Sequence, residues 1–261
     1  MGDYVVVVRG VGKRFRRYHV DAPATIHEAL LRGFRKLMPA ERFWGLRNVS
    51  FRIARGRTVG VVGRNGAGKS TLLRLIGAVG RPDEGSIEVG GHVRGLLSLG
   101  AGFHPELTGR ENLFVNGVIS GLTRREVAAR FDAIVAFSEL EGYIDSPLRA
   151  YSSGMQMRLA FSIAIHSNPD VLLIDEVLAV GDIAFQRKCL DRIAQVKSEG
   201  CAIILVSHDA GMVQRLCEET LWLRAGSVAA YGPSPEVIPQ YLAAADKNSW
   251  SRLPVAGSNG G

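Results

Sequence analysis

The sequence is poor in the features that would place it in a membrane or in an oxidising compartment. No apolar run approaches the ~20 residues needed to span a bilayer. The most hydrophobic stretches, Val5–Val8, Val171–Ile174 and Ala202–Val206, have the length of buried strands. No secretory signal is visible: Asp3 and a short valine run stand where a basic region and a long apolar one would be. The three cysteines, Cys189, Cys201 and Cys217, are odd in number and lack metal-like spacing. They exclude a disulfide framework and are expected as reduced thiols of a cytosolic protein. There is no internal repeat. Acidic residues are scarce at one end: residues 1–57 hold 13 Lys/Arg against 4 Asp/Glu, and the remainder 19 against 21. The net charge of +7 is therefore concentrated in the N-terminal fifth. Such a patch suits an anionic membrane face or nucleic acid, or is simply a solvated basic surface.

What is present is an alternation of apolar strand-like runs and helical spacing over 261 residues, enough for one large core. Strands are expected at Tyr4–Arg9, Val49–Ile53, Thr58–Val62, Asp83–Val89, Val171–Ile174 and Ala202–Val206. A hairpin is expected at Leu221–Arg224 and Ser227–Tyr231. Helical patterns follow at Leu72–Ile76, Met155–His166, Phe185–Ser198 and Pro235–Ala245. The long helical stretch Glu111–Glu141 interrupts the alternation, which predicts a helical subdomain over about 108–167. Residues 22–38 read as a basic amphipathic helix, with Thr25 and Glu28 able to form a capping box and Pro39 ending it. Residues 247–261, rich in Ser, Asn and Gly, read as a flexible tail. The expected fold is α/β with a largely parallel sheet.

Two motifs carry chemistry. Gly63-Arg-Asn-Gly-Ala-Gly-Lys69-Ser70 fits G-x-x-x-x-G-K-[ST] and lies between a strand and a helix. Glycines let backbone N–H groups curl around phosphate oxygens, and the following helix offers its positive end to the anion. Lys69 would reach the β- and γ-phosphates of ATP, and Ser70 would ligate Mg²⁺. Asp175 and Glu176 end an apolar strand, where ligands of parallel sheets bind. Asp175 would hold Mg²⁺ through water and Glu176 would polarise the attacking water.

Tyr151-Ser-Ser-Gly-Met-Gln-Met-Arg158, with the loop and the acid pair, resembles the signature motif of ABC transporter nucleotide-binding domains, usually Leu-Ser-Gly-Gly-Gln. Ser152 and Gly154 match; Ser153 and Met155 depart. The resemblance covers about residues 4–245. It implies a RecA-like core with an antiparallel β edge and a helical subdomain, together one ABC ATPase domain over 1–246. It also implies a homodimer that sandwiches ATP, with Ser152 and Gly154 closing over nucleotide bound to the other subunit. Gly63, Asn65, Gly66, Ala67, Gly68, Lys69, Ser70 and Thr71 form its phosphate loop. Leu178-Ala-Val-Gly-Asp182 is similar to the D-loop, with Asp182 at the acid position. His208, in Ser207-His-Asp209, takes the place of the γ-phosphate sensor, and Phe15 that of the aromatic stacking on adenine, unless it is plain packing. The catalytic group is thus Glu176, His208 and Lys69. The glutamine usual before the helical subdomain is missing around Leu96–Pro105, where Ser98 or Leu99 falls near its place.

Leu97-Ser-Leu-Gly-Ala-Gly-Phe-His-Pro-Glu-Leu-Thr-Gly-Arg-Glu-Asn112 and the insertion carrying residues 22–38 resemble the ATPases that export O-antigen, teichoic acid and related lipid-linked polysaccharides. This implies a polytopic permease partner, a lipid-linked glycan as cargo, and a peripheral place on the cytoplasmic face of the membrane. Nucleic acid is not among the expected partners. A soluble ABC-type ATPase of nucleic-acid or assembly processes, and an importer or drug-efflux cassette, are the alternatives. The C-terminal carbohydrate-binding β-domain of some members is not expected in 261 residues.

Overall fold

The computed structural model describes residues 3–17, 41–96, 102–175 and 181–249. The expected helix over 22–38, the loop positions Ser98 and Leu99, Glu176 and residues 250–261 lie outside them.

A six-stranded mixed sheet carries the architecture. Its order is β5 (Val93–Gly95), β6 (Val171–Asp175), β7 (Ala202–Val206), β3 (Thr58–Val62), β8 (Glu219–Arg224), β9 (Ser227–Pro233). All neighbours are parallel except the β8–β9 hairpin. Every residue of β3 and β7 is buried. Their unbroken apolar runs, Thr-Val-Gly-Val-Val and Ala-Ile-Ile-Leu-Val, are what a strand covered on both faces requires. Alternate side chains then feed two cores. Val59, Val61, Val171 and Leu173 face α1 (Lys69–Ile76) and a second sheet; Leu172, Ile174, Ile203 and Leu205 face α4 (Ser153–Ile165) and α5 (Ile183–Ser198).

The second sheet is antiparallel: β2 (Glu41–Ala54), β1 (Tyr4–Arg17), β4 (Glu84–Val89). It supplies the expected antiparallel edge, but β1 and β2 each run for 14 residues, well past Tyr4–Arg9 and Val49–Ile53. The extensions carry Lys13, Arg14, Arg16, Arg17 and Arg42, which break the apolar pattern. A hairpin arm leaving the core does not need that pattern. Ion pairs support it instead: Arg14 donates to Glu84 at 2.7 Å, and the Arg14 amide donates to Asp83 at 2.6 Å.

Between 109 and 165 lie α2 (Gly109–Ile119), α3 (Arg124–Ser138) and α4, which share a core built on Leu113, Val127, Ile134, Leu159 and Ile163. Capping boxes start the first two: Thr108 with Glu111, and Thr123 with Glu126. Two short elements had no readable pattern, namely β5 and α6 (Ala210–Leu216). The last helix, α7, spans Ser234–Ser249 with Pro239 inside it, so helix continues through 247–249 where the sequence pattern suggests tail.

The three cysteines are buried, and burial pushes each thiol up to about 12.

Helix α6 packs directly on β3. A Cβ at Gly60 would run into Val213 Cγ1 and come 3.2 Å from Cys217 Sγ. Gly60→Ala is therefore expected to lower stability by about 1–3 kcal/mol, read as an earlier urea midpoint. Adding Val213→Ala should restore part of the loss. An unchanged midpoint for Gly60→Ala would mean that α6 does not sit this close.

Candidate functional site

The site is built where β3 ends. After Val62 the chain turns through Gly63–Gly68 and enters α1 at Lys69. Gly68 has φ +103°, and a Cβ there would lie 2.6 Å from both the Gly45 carbonyl and Leu46 Cδ2. The loop thus rests on β2 with no room for a side chain between. Lys69 is almost fully buried, and its Nζ donates to the carbonyls of Gly63 at 2.7 Å and Arg64 at 3.3 Å. The ammonium is thereby held inside the curl of the loop, beside the start of α1, where positive potential from the helix end adds to its own charge.

Sheet topology brings the remaining groups to this loop. β7 lies between β3 and β6, and in the parallel pairing Asp175 stands opposite Val206. The carboxyl ends of β6 and β7 therefore open on one edge of the sheet beside the loop after β3, as ligand sites of parallel sheets do. The result is a cleft of about 740 Å³ lined by Asn65, Gly66 and residues 68–71 of the loop, by Asp175 and His208, and by Phe15, Phe43 and Gly45 from the β1–β2 arm. Arg74, one turn along α1, also lines it. Ser207 accepts a hydrogen bond from the Asp209 amide at 3.0 Å, and Asp209 caps α6 through the Met212 amide, which fixes the turn carrying His208.

Ser70 and Asp175 present a hydroxyl and a carboxylate to the same cleft. Two hard oxygen donors, with the other positions left to water and phosphate, suit Mg²⁺. Among the described residues no group of three or more His, Cys, Asp or Glu forms a cage of its own.

Of the residues singled out from the sequence, the cleft gathers Phe15, Asn65, Gly66, Gly68, Lys69, Ser70, Thr71, Asp175 and His208. Gly63 and Ala67 shape the loop behind it; the Gly226 amide donates to the Ala67 carbonyl at 3.1 Å. Ser152, Gly154 and Asp182 do not line it. Ser152 caps α4, accepting from the Met155 amide at 3.2 Å. Asp182 caps α5, accepting from the Phe185 amide at 2.9 Å and from Arg158 at 2.7 Å. The Phe185 amide, more than the Arg158 guanidinium, holds the Asp182 carboxyl below its usual range. Glu176 lies outside the described residues.

Sequence reasoning missed Phe43, Gly45 and Arg158. Phe43 pairs with Phe15 across an insertion of more than twenty residues, so neither spacing nor motif links them. Arg158 donates to Glu139 at 2.8 Å as well as to Asp182, and its guanidinium lies 4.7 Å from the centre of the Phe185 ring. It ties the C-terminal end of α3 and the α4 helix to the cap of α5.

The family model for ABC transporters matches residues 46–179. The chain is 44% identical to an O-antigen export system ATP-binding protein of Myxococcus xanthus over 98% of its own length and 60% of that protein's. It is 47% identical to an ABC transporter protein of Aeromonas salmonicida, covering 92% of this chain and 77% of that one. A teichoic acids export ATP-binding protein of Lactococcus lactis is 45% identical over 76% of this chain; the match spans 42% of that protein. Among solved structures, an ATP-binding subunit of an ABC transporter superposes with a TM-score of 0.72 at 23% identity, covering 91% of this chain and 93% of that one. A dimeric ATP-binding cassette in a post-hydrolysis state gives 0.69 at 21%, covering 88% and 98%. At these identities the two structures bear on the fold, and they agree with it.

Lys69→Ala should abolish Mg-ATP binding in a calorimetric titration while leaving the unfolding midpoint close to that of the parent. Near-parental affinity would mean that the loop does not cradle phosphate.

Proposed function

The chain belongs to the ABC transporter family, and we propose that it is the ATP-hydrolysing subunit of an exporter of lipid-linked polysaccharide. The chemistry rests on the cleft itself, which brings a phosphate loop, a buried lysine, a strand-end carboxylate and a histidine around one space. The cargo rests on relatives named for O-antigen and teichoic acid export, which match 76–98% of this chain.

The groups divide the work of phosphoryl transfer by position. Backbone N–H groups of the loop and the Lys69 ammonium take the phosphate oxygens and are already in place, so little reorganisation is needed as charge develops. Ser70 and Asp175 would hold Mg²⁺, which neutralises charge on the β- and γ-phosphates. Glu176, directly after Asp175, orients and polarises the attacking water. His208 faces the same cleft and contacts the γ-phosphate.

Ser152 and Gly154 start α4 off the cleft, at a helix N-terminus whose free N–H groups suit an anion. In the proposed head-to-tail homodimer they close over the γ-phosphate held by the other subunit, so each site is completed in trans. Asp182, pinned by Arg158, is taken as the acid of the D-loop. The domain is taken as 1–246, with 108–167 as its helical part. No helix among the described residues is long and apolar enough to cross a membrane. In this reading the pore belongs to a separate polytopic permease, in keeping with relatives named as export ATP-binding proteins, and this subunit is bound peripherally at the cytoplasmic face.

Glu176→Gln should bind Mg-ATP but stall as an ATP-bound dimer, seen as a shift to twice the mass in light scattering. Rapid turnover by this variant would remove Glu176 as the water-activating group. Tagged Glu176→Gln protein drawn from detergent-solubilised membranes with Mg-ATP should carry a stoichiometric polytopic permease. Recovery of soluble proteins or nucleic acid alone would overturn the exporter assignment and keep the ATPase.

A further inference from the structure

The outer end of the cleft is made by two aromatic rings rather than one. In the β1–β2 arm Phe15 pairs with Phe43, so the two side chains stand on the same face of the arm. Their ring centres are 5.9 Å apart with planes 29° from parallel. Both rings are unusually exposed for phenylalanine, 38% and 49%, and both line the cleft that the phosphate loop closes. Among the described residues the two rings face the cleft and are not part of either sheet core. A base slid between the rings would need about 7 Å, two aromatic contact distances. The observed spacing is too small, so the pair forms one two-ring platform and not a pair of jaws.

The residue beside them is chosen to let this happen. A Cβ at Gly45 would lie 2.5 Å from Phe15 Cε2 and 2.8 Å from Cδ2. With glycine there, the Phe15 ring can lie across the strand next to Phe43. The same Gly45 carbonyl sits against Gly68, which fixes the height of the platform relative to the phosphate loop. On the opposite face of the arm Trp44 is covered by the Arg14 guanidinium at 4.1 Å, and Arg14 is itself bound to Glu84. The arm is thus braced from behind, and the rings in front are held ready.

We propose that Phe43 is a second base-binding residue, and that the Phe15–Phe43 platform takes the base of any nucleoside triphosphate through its π-face with little preference among bases. This rests on the assignment of the cleft as the ATP site. Neither phenyl ring offers a hydrogen-bonding group to the edge of a base, and every base has a face that stacks. Selection among purine triphosphates by these two residues is therefore weak, and affinity follows stacking area.

The test compares Mg-ATP, Mg-GTP and Mg-tripolyphosphate as titrants of the full chain and of Phe43→Ala, Phe43→Trp and Lys69→Ala. Phe43→Ala should weaken ATP and GTP alike, by about tenfold, and leave tripolyphosphate, which has no base, unchanged. Phe43→Trp should match or exceed the parent for both nucleotides. Parental affinity for ATP in Phe43→Ala, alongside loss of binding in Lys69→Ala, would overturn the platform and spare the ATP site. Loss of tripolyphosphate binding in Phe43→Ala would show Phe43 to be structural and also overturn the proposal. A large loss for ATP but not GTP would refute base tolerance. Parental binding in Lys69→Ala would sink the ATP site, and the platform with it.

Discussion

Three stretches of backbone meet behind the phosphate loop with no side chain between them. A Cβ at Gly68 or at Gly226 would come 2.6 Å or 2.9 Å from the same Gly45 carbonyl. Hydrogen bonds lock the meeting point: the Arg47 amide donates to Gly226, and the Gly226 amide donates to Ala67. A loop rich in glycine is costly to order. Here the cost is met by tertiary contact with β2 and with the β8–β9 turn. The loop can therefore keep its N–H groups aimed at an incoming anion before any anion arrives, which is the condition for electrostatic preorganisation.

The rest of the site follows from how the six-stranded sheet is ordered around β3. With β7 and β8 as its neighbours and β6 beyond β7, the ends of three parallel strands open on one edge. That order brings together residues at positions 69, 175 and 208, which are far apart along the chain. The helical part has its own core but shares α4 with the sheet side, where Phe161 and Ile165 pack into the second core. It is joined to the sheet side by Arg158, whose one guanidinium meets Glu139, Asp182 and the Phe185 ring. The end of α3 and the cap of α5 are in this way tied to one side chain of α4.

Much of this was legible from residue order because each signal was local. Continuous apolar runs named β3, β6 and β7, since a strand buried on both faces has no polar alternation to confuse the reading. The phosphate loop was legible because its glycines and lysine are spaced by the geometry of one turn. The capping boxes Thr108–Glu111 and Thr123–Glu126 are equally local, yet the expectation was a single helical stretch over Glu111–Glu141 and did not include them. The failures share a cause as well. The β1–β2 arm is stabilised by ion pairs and a cation resting on Trp44, not by burial, so its strands lost their apolar signature after Gly12. Phe43 and Gly45 acquire meaning only through a partner on the far side of an insertion. β5, three residues long, and α6, seven, are too short for periodicity to register.

The cysteines have a practical consequence. All three thiols lie inside the second core, at most 5% exposed, with their ionisation pushed up to about 12. The attacking species in alkylation and disulfide exchange is the thiolate, which these sites hardly populate near neutral pH. The native chain is thus chemically quiet toward maleimides and mild oxidants while folded. A single cysteine engineered onto its surface could be labelled or cross-linked selectively without first stripping the natural ones from the core.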